Sequence, residues 1–444
     1  SVIFFAGLGW LASRQIPSAP AAAPDLEISF NYWQSTKDVI RISRESKSVF
    51  QSILAISWFW FLGSVILAQF PAYALTVLYG DGQVATLLLA TFSIGIGAGA
   101  ILCNWMSGGR IEIGIMPIGA VGMSVFTWLL GSTGLPPTEE LRTLGELAAT
   151  PGIGMISFYM VMLAISSGLF IVPLYTFMQV GSKEESRSRV IASNNIINAL
   201  FMVTAGIMAA AMLSLGYTVL DIFKVTAVLN ALVTLYILTV VPEFVIRLIG
   251  WVLIHSLYRI KKTDLHHVPT EGPALIVCNH VSYADSTILL ALLPRPARFV
   301  MYEPIYKLPV ANWLFRALNT IPINTKRADE AVFNAAFDEV SKALDNNELV
   351  VLFPEGGMTR TGDMLKFQPG IDQILKKNPV PVVPLALRGM WGSWFSRANG
   401  NALQGVPRDL FKKISVVSGP IVAPEDANRI SMFEKVAALR GDEK

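Results

Sequence analysis

The chain is poor in charge, in cysteine and in histidine. Only 15% of its 444 residues are Asp, Glu, Lys or Arg, where soluble domains carry about 25%. The shortfall is local. Up to about residue 243 long apolar runs dominate, and from Lys261 onward the composition is that of an ordinary α/β domain. A formal net charge of +3 is too small to argue for nucleic acid as a partner. The two cysteines, Cys103 and Cys278, fall in an apolar run and an expected strand. They make no disulfide framework, so a reducing, cytosol-facing location is the default for the second half. His255, His266 and His267 have no thiol or carboxylate at ligand spacing and are read as non-catalytic, with no metal site. The opening run Ser1–Ala12 has no basic flank and no cleavage site of a signal peptide. It is shorter than the roughly 20 residues a span requires, and reads as the tail of a membrane helix in a longer protein.

What the chain does have is apolar length. Hydrophobic residues make up 53% of it, with a mean hydropathy of +0.51. Six runs are expected to cross a bilayer: Phe50–Tyr79, Val84–Met106, Ile111–Gly131, Ile153–Val180, Val190–Leu215 and Tyr217–Val241. Positive residues sort to one side. Arg14, Lys37, Arg41, Arg44, Lys47, Arg110, Lys183, Arg187 and Arg189 occupy one set of connections, and Arg142 stands alone in the other. That asymmetry places Ser13–Val49, and everything after Val241, in the cytoplasm.

A partial helix, a polar loop and six helices resemble the second half of a twelve-helix transporter. The turn "NWMSGGRIEIG" is similar to the short cytoplasmic loop of the major facilitator superfamily, and "SGGRIEIGIMPIGA" with "SRSRVIASNNIINA" resembles its lysophospholipid transporter branch. The resemblance covers about residues 1–241. It implies a first transporter half outside this sequence, as a partner chain or a longer polypeptide. Gly95, Gly97 and Gly99 are expected to allow close helix packing. Asn194, Asn195 and Asn198 are costly in hydrocarbon and must face protein or a cavity. Two readings stay open for them, hydrogen bonds between helices or a polar wall along a lipid path. Asn104 and Arg110 suit a cytoplasmic gate or helix end.

Residues 243–262, "EFVIRLIGWVLIHSLYRIKK", are apolar with Arg247, Arg259, Lys261 and Lys262 toward the ends and Trp251 and Tyr258 within. That is the chemistry of a helix lying at the membrane interface. The expected organisation is therefore a membrane domain over 1–242, an interfacial linker over 243–262 and a cytoplasmic domain over 263–444.

From Pro273 short apolar runs alternate with helical stretches. The expected strands are 274–278, 298–301, 321–324, 349–353, 380–387 and 414–419, with a helix over Ala328–Asp345 whose Phe333, Phe337, Val340 and Leu344 share a face. Such a pattern predicts a sheet covered by helices, with chemistry at the strand ends. "CNHVSYADS" then falls on a strand-to-helix turn. His280 and Asp285 are five apart, a spacing easily closed across a turn. A carboxylate that accepts one imidazole N–H leaves the other nitrogen able to take a proton. Alternatively, Asp285 simply caps the helix.

"NHVSYAD" matches the N-H-x-S-x-x-D box of the glycerolipid acyltransferases, the family that includes 1-acylglycerol-3-phosphate acyltransferase. "LFPEGG", "FQPG" and "VPVVPLAL" follow in the family's order. The resemblance covers about residues 250–440. Within the family, "LRGMWGSWFSR" and the fused transporter resemble the 2-acylglycerophosphoethanolamine acyltransferases. Two boxes depart from the family pattern: "NTIPINTKR" keeps Arg327 but lacks a glycine, and "EGGMTR" displaces Arg360. The whole resembles a polytopic α-helical membrane domain, half of a major facilitator fold with six full spans and a partial one, followed by an α/β acyltransferase domain.

The resemblance implies that His280, oriented by Asp285, deprotonates a lysophospholipid hydroxyl, which attacks the thioester of an acyl carrier protein or coenzyme A donor. It implies that Glu355 and Gly356 line the acceptor site, and that Arg327, Lys326 and Arg360 meet the phosphate; surface charge near a turn is the other reading of those cations. It implies neither metal nor bound cofactor, and a bacterial cytoplasmic membrane with the enzyme facing the cytoplasm. Trp391, Trp394 and Phe395 would either dip into the interface or pack in the core.

Overall fold

The computed structural model describes residues 2–16, 31–107, 113–240, 242–309, 311–398, 400–404 and 406–442. It forms two compact units, Ser1–Val233 and Thr234–Lys444.

The first unit is helical: α1 (Val2–Ser13), α2 (Tyr32–Ser43), α3 (Lys47–Thr76), α4 (Gly82–Ser107), α5 (Met116–Gly131), α6 (Leu144–Ala149), α7 (Ile153–Val180), α8 (Arg187–Ser214) and α9 (Val219–Val240), the last running on into the second unit. Among the described residues five helices are long and apolar enough to cross a membrane by length and composition: α3, α4, α7, α8 and α9. The remaining expected run, Ile111–Gly131, is described only from Ile113 onward. It enters through a 3-10 turn at Ile113–Ile115, and Pro117 sits in the first turn of the 16-residue α5. Proline is tolerated there because its missing N–H has no partner in the first turn. At 1.5 Å per residue α5 covers about 24 Å, against roughly 30 Å of hydrocarbon. Residues 108–112, which hold Arg110 and much of the transporter-like turn, lie outside the described residues. The polar loop before α3 contains an unforeseen helix, α2, capped by Asn31, whose side chain accepts from the Gln34 N–H. Ser43 at its end meets Ser193 of α8 at 3.0 Å.

Packing in this unit depends on missing side chains. A Cβ on Gly99 would collide with the Ile165 carbonyl and Gly168 of α7, and one on Gly95 with Ala164. A Cβ on Gly119 would lie 2.5 Å from the Phe170 nitrogen. Gly97 is different: it faces open space and takes no part in the contact expected of it. The asparagines divide as well. Asn198 accepts from the Ser57 hydroxyl at 2.7 Å, joining α8 to α3. Asn194 is buried beside it, while Asn195 is exposed. Asn198 is thus an interhelical tie, whereas the Asn194 amide nitrogen meets only the Asn195 side chain of the same helix, at 3.4 Å. Asn230 of α9 likewise accepts from Trp58 and donates to the Ala120 carbonyl and Ser124 of α5.

The second unit runs α10 (Pro242–Leu257), β1 (Arg259–Thr263), β2 (Ala274–Cys278), α11 (Asp285–Leu292), β3 (Ala297–Tyr302), α12 (Glu303–Tyr306), α13 (Asn312–Ala317), β4 (Ile321–Ile323), α14 (Glu330–Asp345), β5 (Leu349–Leu352), α15 (Gly370–Lys377), β6 (Val382–Arg388), β7 (Lys413–Ser418) and α16 (Arg429–Arg440). Its seven-stranded sheet has the order β1-β7-β6-β2-β5-β3-β4. All neighbours are parallel except β6 and β7. The two faces bury separate apolar clusters. One lies under α10 and α11 with Ile276, Val351 and Leu385, the other under α14, α15 and α16 with Leu275, Val350 and Ala386.

The expected linker, residues 243–262, falls into two elements. Its first part is α10, which sends Ile254 into the core of the second unit and buries Arg247 against the Leu293 carbonyl at 2.8 Å. Arg259–Lys262 belong to β1, an edge strand of the sheet. Among the described residues of α10, Ile249, Val252, Leu253, His255 and Ser256 are exposed.

Gly99→Ala should lower the melting temperature of the detergent-solubilised chain, because overpacking costs about 1–3 kcal/mol. Gly97→Ala should hold or raise it, since Ala is favoured over Gly in a helix by about 1 kcal/mol. Equal responses in a thermal-shift comparison would refute this division of the glycines.

Candidate active site

The central strand β2 is buried at every position and ends at Cys278. The next residue extends the ladder with its side chain. Asn279 donates to the Leu387 carbonyl at 3.0 Å and accepts from the Leu387 N–H at 2.8 Å, so its amide stands in for a peptide group. With the strand held that far, the chain turns, and α11 begins at Asp285.

Asp285 is wholly buried and receives four donors. Its Oδ2 accepts from His280 Nδ1 at 2.9 Å, the Val281 N–H at 2.6 Å and the Ser282 N–H at 2.9 Å, and its Oδ1 accepts from the Ser282 hydroxyl at 2.5 Å. It does not cap α11 with its own side chain. It gathers the loop before the helix instead, and its charge sits favourably at the positive helix end. A carboxylate only accepts, so His280 Nδ1 carries the proton and Nε2 keeps a lone pair. The His280 side chain retains 21% exposure and Asp285 none, so a substrate can reach the imidazole and not its partner.

The loop after β5 completes the support. Phe353 stacks on the imidazole, with centroids 4.5 Å apart and planes at 23°. Pro354 and Glu355 form a turn closed by the Gly356 N–H on the Phe353 carbonyl at 3.1 Å. Gly356 has φ +72°, a conformation that favours glycine. Glu355 is buried and divides its oxygens, Oε1 accepting from the His280 N–H at 2.8 Å and Oε2 from the Leu365 N–H at 2.6 Å. Thr359 donates its N–H to the His280 carbonyl at 3.3 Å. His280 is thus gripped at its ring and at both peptide groups.

Among the described residues, none of the expected phosphate cations is hydrogen-bonded to this cluster. Lys326 pairs with Glu330 at 3.1 Å with both side chains exposed. Arg327 is exposed on the loop between β4 and α14. β4 is parallel to β2 and three strands away, so Arg327 lies at the same end of the sheet, about 14 Å along it at 4.8 Å per strand. Arg360 is exposed next to Thr359, on the loop that touches His280. Asn279, Ser282, Phe353 and Thr359 were not given roles from sequence. Ser282 lies inside the quoted box, but its use by Asp285 depends on the turn. Trp391 and Phe395 pack against the α10–α11 core, and the Phe395 carbonyl accepts from the Tyr283 N–H at 3.1 Å. Cys278 is buried, and burial followed by the nearby Asp285 and Glu355 charges pushes its thiol well up. A protonated, inaccessible thiol is no nucleophile.

Residues 259–388 match a protein family described as Acyltransferase. The carboxy-terminal unit carries an acyltransferase-family domain. A chloroplast 1-acyl-sn-glycerol-3-phosphate acyltransferase of Arabidopsis thaliana is 28% identical over 148 residues, 33% of this chain and 41% of that protein. The human 1-acyl-sn-glycerol-3-phosphate acyltransferase alpha is 28% identical over 149 residues, 32% of this chain and 51% of that protein. The chain thus spans about half or less of these relatives' length. The crystal structure of the 1-acyl-sn-glycerophosphate acyltransferase PlsC from Thermotoga maritima aligns with a TM-score of 0.36 at 22% identity, covering 44% of this chain and 78% of that one.

Burial pushes the Glu355 carboxyl above its ordinary value, against the lowering pull of the Leu365 and His280 N–H groups. A raised folded value gives stability that is complete below the unfolded value and lost as pH rises through the folded one. The melting temperature of this unit should therefore fall, by this group's share, as pH climbs out of the ordinary glutamate range. Glu355→Gln, which cannot ionise, should flatten that part of the curve. An unchanged slope would show that burial does not strain the carboxylate.

Proposed function

We propose that this chain is a membrane-attached lysophospholipid acyltransferase. The observation that carries the reading is the reachable His280 ring, bonded through Nδ1 to the buried Asp285 at 2.9 Å. Nε2 takes the proton from a glycerol hydroxyl as its oxygen attacks the thioester carbonyl of the donor. The tetrahedral intermediate collapses, the thiol leaves with a proton, and an ester remains. Asp285 steadies the imidazolium that forms in between. Acyl carrier protein and coenzyme A thioesters are both candidate donors. Glu355 acts here as a positioning residue, since its two oxygens are committed to backbone N–H groups, and Gly356 shapes the turn. Arg327 and Arg360, at the His280 end of the sheet, are the candidates for the acceptor phosphate, with Lys326 beside Arg327.

The acceptor proposed first is a lysophospholipid such as lysophosphatidylethanolamine, delivered along the helical unit, with Asn194, Asn195 and Asn198 near its path. Such coupling would make the chain a device for phospholipid repair in a bacterial cytoplasmic membrane, with the acyltransferase domain on the cytoplasmic side. The 1-acylglycerol-3-phosphate specificity in the relatives' names favours a second reading, in which the acceptor is lysophosphatidic acid and the helices are an anchor.

The purified chain in lipid nanodiscs, given either acceptor with either thioester, should form diacyl product. His280→Ala should reduce the rate by about 10²–10⁴-fold, the usual worth of general acid–base catalysis. The preferred acceptor separates repair from de novo synthesis. Product formation that survives the His280→Ala change would end the catalytic assignment.

A further inference from the structure

A recess of about 160 Å³ lies near the β1 edge of the sheet, lined by Lys261, Thr263, Arg388, Lys413, Ser415 and Val417. The register explains why these side chains meet. Lys261 pairs with Ser415 across β1 and β7, and Ser415 pairs with Arg388 across β7 and β6. Residues paired in this way share a face, so a lysine and an arginine flank one hydroxyl. Lys413 and Thr263 lie two positions away along their strands and point to the same side. This is the face of Ala386, covered further along by α16. The Arg388 guanidinium is anchored by donation to the Leu439 carbonyl of α16, at 2.7 Å from Nε.

We propose that this recess is a binding site for a phosphate-bearing group, separate from the His280 site. Like charges on neighbouring strands destabilise a sheet, and three cations converge here. Lys261 and Lys413 are both exposed, and neither has an ion-pair partner among the described residues. Lysines on an edge strand guard against edge-to-edge pairing, but that accounts for Lys261 alone. Lys413 and Ser415 belong to the second strand and Arg388 to the third. Hydroxyl donors between cationic ones form a set that suits phosphate oxygens.

The position suggests where such a phosphate comes from. β6 is parallel to β2, with Leu385 opposite Cys278, so Arg388 lies at the His280 end of the sheet. Phe353, stacked on His280, packs with the α10–α11 cluster, and the recess opens on the other face. A phosphate held there is therefore not the one beside the reacting hydroxyl. The nucleotide phosphates at the far end of a coenzyme A thioester have the right chemistry, and so do the headgroup phosphates of an anionic membrane lipid.

Direct binding distinguishes these sources without any turnover. The full chain in neutral-lipid nanodiscs would be titrated with adenosine 3′,5′-bisphosphate by calorimetry. In a second arm, the detergent-solubilised chain would be captured on vesicles of phosphatidylcholine with or without phosphatidylglycerol. Saturable binding in either arm should weaken at least tenfold in Lys261→Ala/Lys413→Ala and fade with added salt, and the responding arm names the source. His280→Ala should bind as the parent does, so a failure of the catalytic reading leaves this test intact. Absence of binding in both arms, or equal binding by the double variant, would overturn the proposal.

Discussion

The second unit depends on one buried carboxylate. Asp285 has no solvent to share its charge and is stabilised by four donors from a single turn. Hydrogen bonds to a charged group are worth about 1.5–3 kcal/mol each, and leaving such a group short of donors costs at least as much. That demand dictates the conformation of His280–Ala284, fixes the imidazole tautomer and ties the loop to the start of α11. The same group that folds the turn also orients the base. Stability and chemistry therefore cannot be separated at this residue, whereas at Phe353, Glu355 and Thr359 the support is indirect and passes through the His280 ring or peptide.

The sheet gives that turn a rigid base. β2 lies between β6 and β5 with every side chain buried, and the Asn279 side chain extends the pairing one residue beyond the last strand position. The loop after β5 leaves the sheet from the neighbouring strand at the same end. Parallel neighbours bring their carboxyl-terminal loops together, which is why boxes some 75 residues apart in the chain meet within hydrogen-bond distance. In the helical unit the corresponding constraint is steric: Gly95, Gly99 and Gly119 let backbones approach α7, and buried asparagines tie α8 and α9 to their neighbours.

Much of this was legible in the sequence. Six of the seven strands were readable from short, largely apolar runs, most fully in β2, β5 and β6, whose residues are almost all buried. β1 was not, because an edge strand exposing Arg259, Lys261 and Lys262 looks like a charged linker. α2 was hidden in a polar loop, and α5 is entered through a 3-10 turn that hydropathy alone does not reveal. Gly97 shared a motif with Gly95 and Gly99, yet only the neighbours of a helix decide which of its faces is crowded. At the site, the closeness of His280 and Asp285 could be inferred from a turn of five residues. The division of Glu355's two oxygens could not, because it involves partners 75 residues before it and 10 after it. Family likeness supplied Glu355 as a lining residue; geometry shows its oxygens occupied by the backbone.

The central claim is that Asp285 acts through His280. A double-mutant cycle on acyl transfer tests it directly, comparing the parent with His280→Ala, Asp285→Asn and the pair, each checked for folding by its melting transition. If the carboxylate works only by orienting and stabilising the imidazole, the double variant should be as slow as His280→Ala alone. Losses that multiply would mean that Asp285 contributes independently of the histidine, and would contradict the account.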